Sequence, residues 1–305
     1  MATDRRNADI DRRSFLNVAG TFAASALTAG AIFDVMRPNF ARAQQAAKVT
    51  HGASDRVLDR LRTRFTFQIS VDVATVEQGL TVAGAALAGG VTIVEMGTPL
   101  LKNAGVSNVV PAFRRTFPGA LLLADMKTMD GGGGEARGVY AGGGNIVDFL
   151  ALAGEATAKA ICSVRDEFRR GDAELPRLAF ADILVPHQGP AAQAVDVARR
   201  MIDAGVDGVG IHLQADARRA DPSLIKNDYL SEMARAIFKG VGSAAPVQVV
   251  GGLSVAQAKS LAGAGLRAFV ISGNLGQPDG RARYDLPSDQ IERHVADFIA
   301  EVSKS

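Results

Sequence analysis

The sequence predicts an α/β protein whose eight strand–helix units close into a (β/α)8, or TIM, barrel. Apolar runs of strand length alternate with segments of helical spacing along most of the chain. Eight such units fit into about 260 residues, which is typical of this barrel. The competing fold, an open doubly wound sheet, uses fewer strands, and no Gly-x-Gly-x-x-Gly follows the first strand here.

The first four units each pair a short apolar run with an amphipathic segment. Strands are predicted at residues 67–73, 91–96, 121–126 and 146–151. Helices are predicted at residues 76–88, 106–117, 135–141 and 157–170, and glycine pairs or triplets follow the first and third of them.

The last four units continue the pattern. Strands are predicted at residues 178–185, 206–213, 247–250 and 268–272, and helices at residues 191–204, 229–238, 255–264 and 291–302. Residues 254–257 (Ser-Val-Ala-Gln) fit a capping box at the start of the seventh helix. The eighth helix completes the set.

The amino terminus has the features of an export signal. Residues 12–16 (Arg-Arg-Ser-Phe-Leu) precede a mildly apolar segment, 18–33, and residues 41–43 (Ala-Arg-Ala) have the small-x-small pattern of a cleavage site. A membrane anchor, or a surface helix with two chance arginines, is the alternative, but large apolar residues are too few for a stable span. The sequence predicts a twin-arginine signal peptide at residues 1–43, a barrel domain at residues 44–305, and a periplasmic protein.

Charge and cysteine content narrow the function classes. The 305 residues include 34 basic and 32 acidic side chains, and residues 1–43 hold six arginines and four aspartates, which leaves 28 of each sign after residue 43. This balance argues against nucleic acid or a lipid surface as a partner. Cys162 is the single cysteine, so no intrachain disulfide can form.

Ionisable side chains cluster where the predicted strands end. Because active sites of this barrel lie at the carboxyl ends of the strands, we expect these side chains to meet at one mouth. They are Asp72 after strand one, Glu95 after strand two, Asp125 and Lys127 after strand three, Asp182 after strand five and His212 after strand six. The pattern indicates an enzyme.

Glu95, Asp125, Lys127 and His212 suit metal-assisted acid–base chemistry. Two carboxylates on neighbouring strands can share a hard cation such as Mg²⁺. Lys127 lies two residues after Asp125, so in an extended strand both side chains point to the same face, and Lys127 would place positive charge where an oxyanion develops. His212 is a candidate proton donor or acceptor, although a lone histidine at a strand end is often only a packed, hydrogen-bonded residue.

The last two strands end in glycines that suit an anion site. Gly251 and Gly252 lead into the capped seventh helix, and Gly273 and Asn274 follow the eighth strand. Loops at these positions are the usual phosphate site of such barrels. We therefore expect these four residues to bind substrate.

Two motifs resemble a known family. Residues 95–100 (Glu-Met-Gly-Thr-Pro-Leu) and 124–130 (Ala-Asp-Met-Lys-Thr-Met-Asp) look like the signatures of the 3-hexulose-6-phosphate synthase and 3-keto-L-gulonate-6-phosphate decarboxylase group of the orotidine-monophosphate decarboxylase superfamily. The resemblance spans about residues 67–272.

The resemblance implies roles for individual residues. Residues matching Glu95 and Asp125 bind Mg²⁺ in this family, and the match to Lys127 stabilises an enediolate. The match to Asp130 reaches into the partner's site across a homodimer interface. Matches to Asp72 and His212 also belong to the site, and Asp216 fits the family's His-x-x-x-Asp pattern, so we expect it to contact substrate.

By resemblance the reaction is a Mg²⁺-dependent aldol addition of formaldehyde to ribulose 5-phosphate, or the decarboxylation of a keto-sugar acid through the same kind of intermediate. A third hypothesis is an exported barrel that binds ligand and metal without turnover. The family's last strand ends in Gly-Arg, where this chain has Gly273 and Asn274. Either Arg218 or Arg219 takes over the phosphate, or the substrate is not phosphorylated.

Overall fold

The computed structural model describes residues 52–225, 228–276 and 284–305, together with the backbone of residue 226. The predicted signal peptide, residues 1–43, lies outside the described residues. In the part of the chain that is described, no helix is long and apolar enough to cross a membrane.

Eight parallel strands form a closed barrel in which each strand pairs with the next along the chain. Thr66 on the first strand lies opposite Ala268 on the last, which closes the cylinder. This confirms the predicted (β/α)8 barrel. The strands are β1 Thr66–Val71, β2 Ile93–Met96, β3 Leu121–Asp125, β4 Ile146–Leu150, β5 Leu178–Val185, β6 Gly208–Leu213, β7 Val247–Val250 and β8 Ala268–Ile271.

Helices connect the strands and surround the barrel. The described ones are α1 Gly52–Thr63, α2 Val76–Ala88, α3 Thr98–Ala104, α4 Val106–Thr116, α5 Gly132–Ala141, α6 Gly154–Gly171, α7 Ala191–Asp203, α8 Ala215–Ala220, α9 Ser223–Lys226, α10 Tyr229–Val241, α11 Val255–Gly263 and α12 Ser288–Val302, with a short 3-10 turn at Ala151–Ala153. Ser254 and Gln257 form the predicted capping box at the start of α11.

Four of these helices were not predicted from the sequence. The helices α3, α8 and α9 have seven, six and four residues, too few to show a helical repeat. The helix α1 precedes the first strand, and its apolar residues had no predicted partner. They pack beneath the barrel.

One end of the barrel is closed by α1. Leu61, only 2% exposed, joins a cluster of side chains from the first residues of the strands, including Ile93, Ile146 and Leu178. A larger apolar layer fills the space between the strands and the outer helices. Burial of this apolar surface is the main favourable contribution to folding, and it leaves the carboxyl ends of the strands as the open face.

Candidate active site

Strands β1 and β2 place a hydroxyl between two carboxyl groups. Ser70 Oγ lies 2.9 Å from Glu95 Oε1 and 2.8 Å from Asp72 Oδ2. A hydroxyl carries one proton and can donate to only one of them, so a second proton is needed for both contacts to be hydrogen bonds. Asp72 lies at the exposed rim, whereas Glu95 is 5% exposed.

The surroundings of Glu95 favour its neutral, protonated form. Burial raises the pKa of Glu95 well above its usual value, and the negative charges of Asp125 and Asp72 raise it further. The Gln68 side-chain amide donates to Glu95 Oε2, and Gln248 Nε2 donates to Gln68 Oε1 at 2.7 Å. A buried carboxylate facing like charges is costly, and a positive ion between them would remove that cost.

Lys127 lies directly after β3 and contacts two carboxylates. Its Nζ is 2.9 Å from Asp125 Oδ2 and 3.5 Å from Asp182 Oδ2. Burial opposes the charged form, but the negative charges of Asp182, Asp125 and Asp148 outweigh it and raise the pKa of Lys127. Lys127 therefore carries a fixed positive charge at the mouth of the barrel.

The backbone at Lys127 differs from the expected extended strand. Its φ is 45°, in the left-handed region that side chains other than glycine seldom occupy. The sequence predicted that Asp125 and Lys127 share one face because they are two residues apart in a strand. They do meet, but β3 has already ended at Asp125, and the turn brings the ammonium group back onto it.

Asp182 and His212 form a pair on β5 and β6. His212 Nδ1 lies 2.9 Å from Asp182 Oδ2, and Asp182 is 2% exposed. Burial favours the neutral acid, yet His212 and Lys127 together lower the pKa of Asp182. The expectation that these two residues follow their strands was wrong, because Asp182 lies within β5, which ends at Val185 as predicted, and His212 lies within β6.

Asp148 on β4 was missed by the sequence analysis. It stands opposite Asp125 in the strand register and is 7% exposed, and its Oδ1 has no hydrogen-bond partner within the described residues. Burial raises the pKa of Asp148 well above its usual value, and Asp182 and Asp125 add to the effect. The sequence did contain a signal for it: Asp148 is a single acidic residue inside an apolar strand, and the preceding strand ends in Asp125.

The loops after β6, β7 and β8 enclose a cavity of about 780 Å³ beside these groups. Its lining includes six of the residues predicted for the site: Asp72, His212, Gly251, Gly252, Gly273 and Asn274. Asn274 Nδ2 donates to the Gly252 carbonyl at 3.0 Å, so this residue ties the β8 loop to the β7 loop.

Glu95, Asp125 and Lys127 are not among the residues that line the cavity, and two further predicted residues, Asp216 and Asp130, are exposed to solvent. The Asp216 carboxylate is turned to solvent, with its side chain 86% exposed, and pairs with Arg219 at 2.6 Å. Asp130 is exposed in the turn before α5, where its carboxylate accepts a hydrogen bond from the Gly131 amide at 2.7 Å. Within this chain neither side chain is brought to Lys127.

The donor set suits a magnesium-type cation. Within the described ranges no three His, Cys, Asp or Glu side chains form a ready cation cage. Magnesium does not require one, because it is commonly held by one or two carboxylates and keeps several waters. Glu95 and Asp125 are such a pair, and the like charge of Asp125 already raises the pKa of Glu95, so the residues present fit the ion.

Known proteins are similar to this chain in sequence and in architecture. The 3-hexulose-6-phosphate synthase of Mycobacterium gastri is 29% identical over 206 residues, covering 68% of this chain and 89% of that protein. A crystal structure of 3-hexulose-6-phosphate synthase superposes with a TM-score of 0.60 at 25% identity, covering 76% of this chain and 99% of that one.

A more distant structure shows the same fold. The 3-keto-L-gulonate-6-phosphate decarboxylase (KGPDC) of Streptococcus mutans, solved in complex with D-R5P, superposes with a TM-score of 0.60 at 21% identity, covering 77% of this chain and 97% of that one. The family model described as "Orotidine 5'-phosphate decarboxylase / HUMPS family" matches residues 66–275. The chain therefore belongs to this family, and within it to the group of hexulose-phosphate synthases and keto-gulonate-phosphate decarboxylases.

Proposed function

We propose that the protein is a magnesium-dependent carbon–carbon lyase that joins formaldehyde to ribulose 5-phosphate, and catalyses the reverse cleavage. The observation that carries this proposal is Lys127, whose ammonium group is held between Asp125 and Asp182 at the mouth of the barrel. The names of the relatives are those of carbon–carbon lyases acting on sugar phosphates, which supports this class of reaction and substrate.

The reaction needs stabilised negative charge on oxygen. Loss of a proton from C1 of the ketose leaves its electron pair in an enediolate, which attacks the carbonyl carbon of formaldehyde; the new alkoxide then takes up a proton. A fixed ammonium group near the developing oxyanion lowers the barrier without reorganising during the reaction. Lys127 supplies that charge.

Proton transfer falls to His212. Its Nδ1 faces Asp182, which leaves Nε2 as the atom that meets substrate. The neighbouring carboxylate fixes the orientation of the ring. His212 also lines the cavity, so a ligand there can reach it.

Glu95 and Asp125 would hold the Mg²⁺ ion. When bound, the ion would polarise the oxygen atoms of the ketose and so favour loss of the C1 proton. A cation beside Glu95 would also offset the cost of a buried carboxylate facing Asp125.

A decarboxylase of a keto-sugar acid is the second candidate. Loss of carbon dioxide from such a substrate leaves the same enediolate, which then needs a proton on carbon. The His212–Asp182 pair is placed to deliver one, which is the observation that favours this reaction.

Export and assembly belong to the same proposal. The Arg-Arg-Ser-Phe-Leu segment at residues 12–16 supports twin-arginine export to the periplasm.

A homodimer in which Asp130 enters the partner's site is supported by the exposure of Asp130 and of its neighbour Met129, which is 54% exposed. The Asp130→Asn variant tests assembly, because its activity and its mass in solution can both be compared with those of the wild type. Replacement of Arg12 and Arg13 by lysine tests export, which cell fractionation measures.

The assay that tests the reaction uses the mature protein with Mg²⁺, ribulose 5-phosphate and formaldehyde. We expect formaldehyde consumption that stops when EDTA removes the metal. If carbon dioxide is released from 3-keto-L-gulonate 6-phosphate instead, the second candidate is correct. Ligand-induced thermal stabilisation without either reaction would support a binding barrel.

A further inference from the structure

Arg218 lies against the glycines that end β7. It belongs to α8, directly after β6, and its Nη1 donates to the Gly251 carbonyl at 2.9 Å. Gly252 has a φ of 75°, and a Cβ built on it would lie 2.2 Å from Arg218 Nη1. The guanidinium group can occupy this place only because residue 252 is glycine.

The charge of Arg218 has no acidic partner among the described residues. The two carboxylates that line the same cavity are engaged elsewhere: Asp228 accepts from Gln257 Nε2 at 2.9 Å, and Asp72 from Ser70 Oγ at 2.8 Å. Burial lowers the pKa of Arg218, and the like charge of Arg219 lowers it further. A partly buried cation beside another cation is stabilised by an anion.

Arg219 has a different environment. Its side chain is 73% exposed and its Nη1 lies 2.6 Å from Asp216 Oδ1. Adjacent residues of a helix point in directions about 100° apart, and although both arginines line the cavity, Arg218 is the one that contacts the β7 glycines. Arg219 is thus already neutralised at the surface, while Arg218 faces inward.

The cavity connects Arg218 to the reacting groups. Arg218, Gly251 and Gly252 line it on one side, and His212 and Asp72 line it as well. A guanidinium group has five donors in a planar fork that matches two oxygens of a phosphate. A small ketose with its carbonyl end near His212 and an anion at its other end fits this arrangement.

We infer that Arg218 binds the phosphate group of a phosphorylated ketose, against the Gly251–Gly252 turn. The inference rests on the proposed function for the sugar part of the ligand, and it decides between the two interpretations left open by the sequence. On this inference the substrate is a phosphate monoester, and the guanidinium group that binds its phosphate belongs to Arg218, in the segment after β6.

Calorimetric titration with inorganic phosphate tests the anion site without turnover. We expect Arg218→Gln to raise the Kd for phosphate roughly 10- to 100-fold, because a charge-assisted hydrogen bond contributes about 1.5–3 kcal/mol. The matched control, Arg219→Gln on the same helix, should change the Kd less than about twofold. Circular dichroism of both variants checks that the barrel is folded.

Kinetics with ribulose 5-phosphate form the second arm. Arg218→Gln should raise KM far more than it lowers kcat, and Arg218→Lys should recover only part of the loss because it lacks the planar fork. Ribulose without phosphate should be a poor substrate for the wild type and should respond little to Arg218→Gln.

The outcomes separate this inference from the proposed function. If phosphate binding depends on Arg218 but formaldehyde is not consumed, the anion site stands and the proposed reaction fails. If formaldehyde is consumed and Arg218→Gln keeps the wild-type KM, the reaction stands and the inference is overturned. Absence of phosphate binding by the wild type, or an equal loss in Arg219→Gln, overturns it as well.

Discussion

At the scale of single residues, the site combines one partly buried ammonium group with an excess of carboxyl groups. Lys127 contacts Asp125 and Asp182, and Asp148 lies beside them. The left-handed backbone at Lys127 costs on the order of 1–3 kcal/mol, and such conformations persist where surrounding contacts hold them. Here the two carboxylates hold the ammonium group in place.

Replacing Lys127 by methionine should lower kcat/KM for ribulose 5-phosphate by roughly 100- to 1,000-fold, because the site loses its fixed positive charge. Unfolding temperatures should show that the variant is destabilised more at pH 8 than at pH 5, since without the ammonium group the buried carboxyl groups ionise at a higher pH in the folded variant than in the unfolded chain. Activity within tenfold of the wild type would exclude the proposed role of Lys127.

Asp148 should make the metal-free protein less stable as the pH rises. Its pKa is raised in the folded state, so the folded protein holds this proton to a higher pH than the unfolded chain, where Asp titrates at about 3.9. The free energy of unfolding then falls by about 1.4 kcal/mol for each pH unit over which Asp148 is ionised in the unfolded chain but protonated in the folded protein.

Denaturant titrations in EDTA between pH 5 and pH 8 measure this effect. Asp148→Asn should lose less stability across the range than the wild type. Asp297→Asn, an exposed change on α12, is the control and should follow the wild type. Parallel curves for the wild type and Asp148→Asn would show that Asp148 is not held neutral by its surroundings.

At the scale of elements, the turn between β2 and α3 is packed against the end of β1. A Cβ added to Gly97 would lie 2.2 Å from Asp72 Oδ1 and 2.7 Å from the Val71 carbonyl oxygen. Thr98, the next residue, donates through Oγ1 to the Asp125 carbonyl at 2.8 Å. This turn therefore positions two of the carboxyl groups at the mouth.

Gly97→Ala should move Asp72 or the end of β1 and reduce kcat/KM at least tenfold, as judged by formaldehyde consumption. Gly134→Ala is the matched control, because Gly134 lies within α5 and a Cβ there meets nothing within 4 Å. The control should keep full activity and gain about 0.5–1 kcal/mol in unfolding free energy. Equal activity of the two variants would contradict this role of the turn.

Continuous apolar runs were sufficient to predict the strands, which are buried on both faces, and helical periodicity was sufficient for the long helices that follow them. Periodicity could not predict α3 or α8, because seven and six residues are too few to show a helical repeat. The same limit applies to the site: the position of Asp125 followed from its strand end, whereas the inward turn of Arg218 depends on where α8 begins.

At the scale of the whole molecule, the barrel is closed at one end and chemically active at the other. The α1 helix supplies Leu61 to the apolar cluster beneath the strands, and the charged groups lie at the opposite, carboxyl ends. Stability and chemistry are thus assigned to different ends of one cylinder, as is general for this fold. Changes at the closed end should leave substrate affinity intact.

Leu61→Ala should lower the unfolding free energy by about 2–5 kcal/mol, because it removes a buried side chain and leaves a cavity. Its KM for ribulose 5-phosphate should match that of the wild type while the protein is folded. Arg62→Ala, the exposed neighbour, is the control for stability. A large change in KM for Leu61→Ala would indicate that the two ends are coupled.

The central claim is that Glu95, Asp125 and Lys127 form a metal-dependent site that favours loss of the C1 proton of a ketose phosphate to His212. Proton NMR of ribulose 5-phosphate in deuterated water with Mg²⁺ and the mature protein measures this step directly. We predict that the C1 proton signal is lost with the wild type and retained with Asp125→Ala. The circular dichroism of the variant should match that of the wild type. No exchange with the wild type, or equal exchange with Asp125→Ala or in EDTA, would contradict the claim.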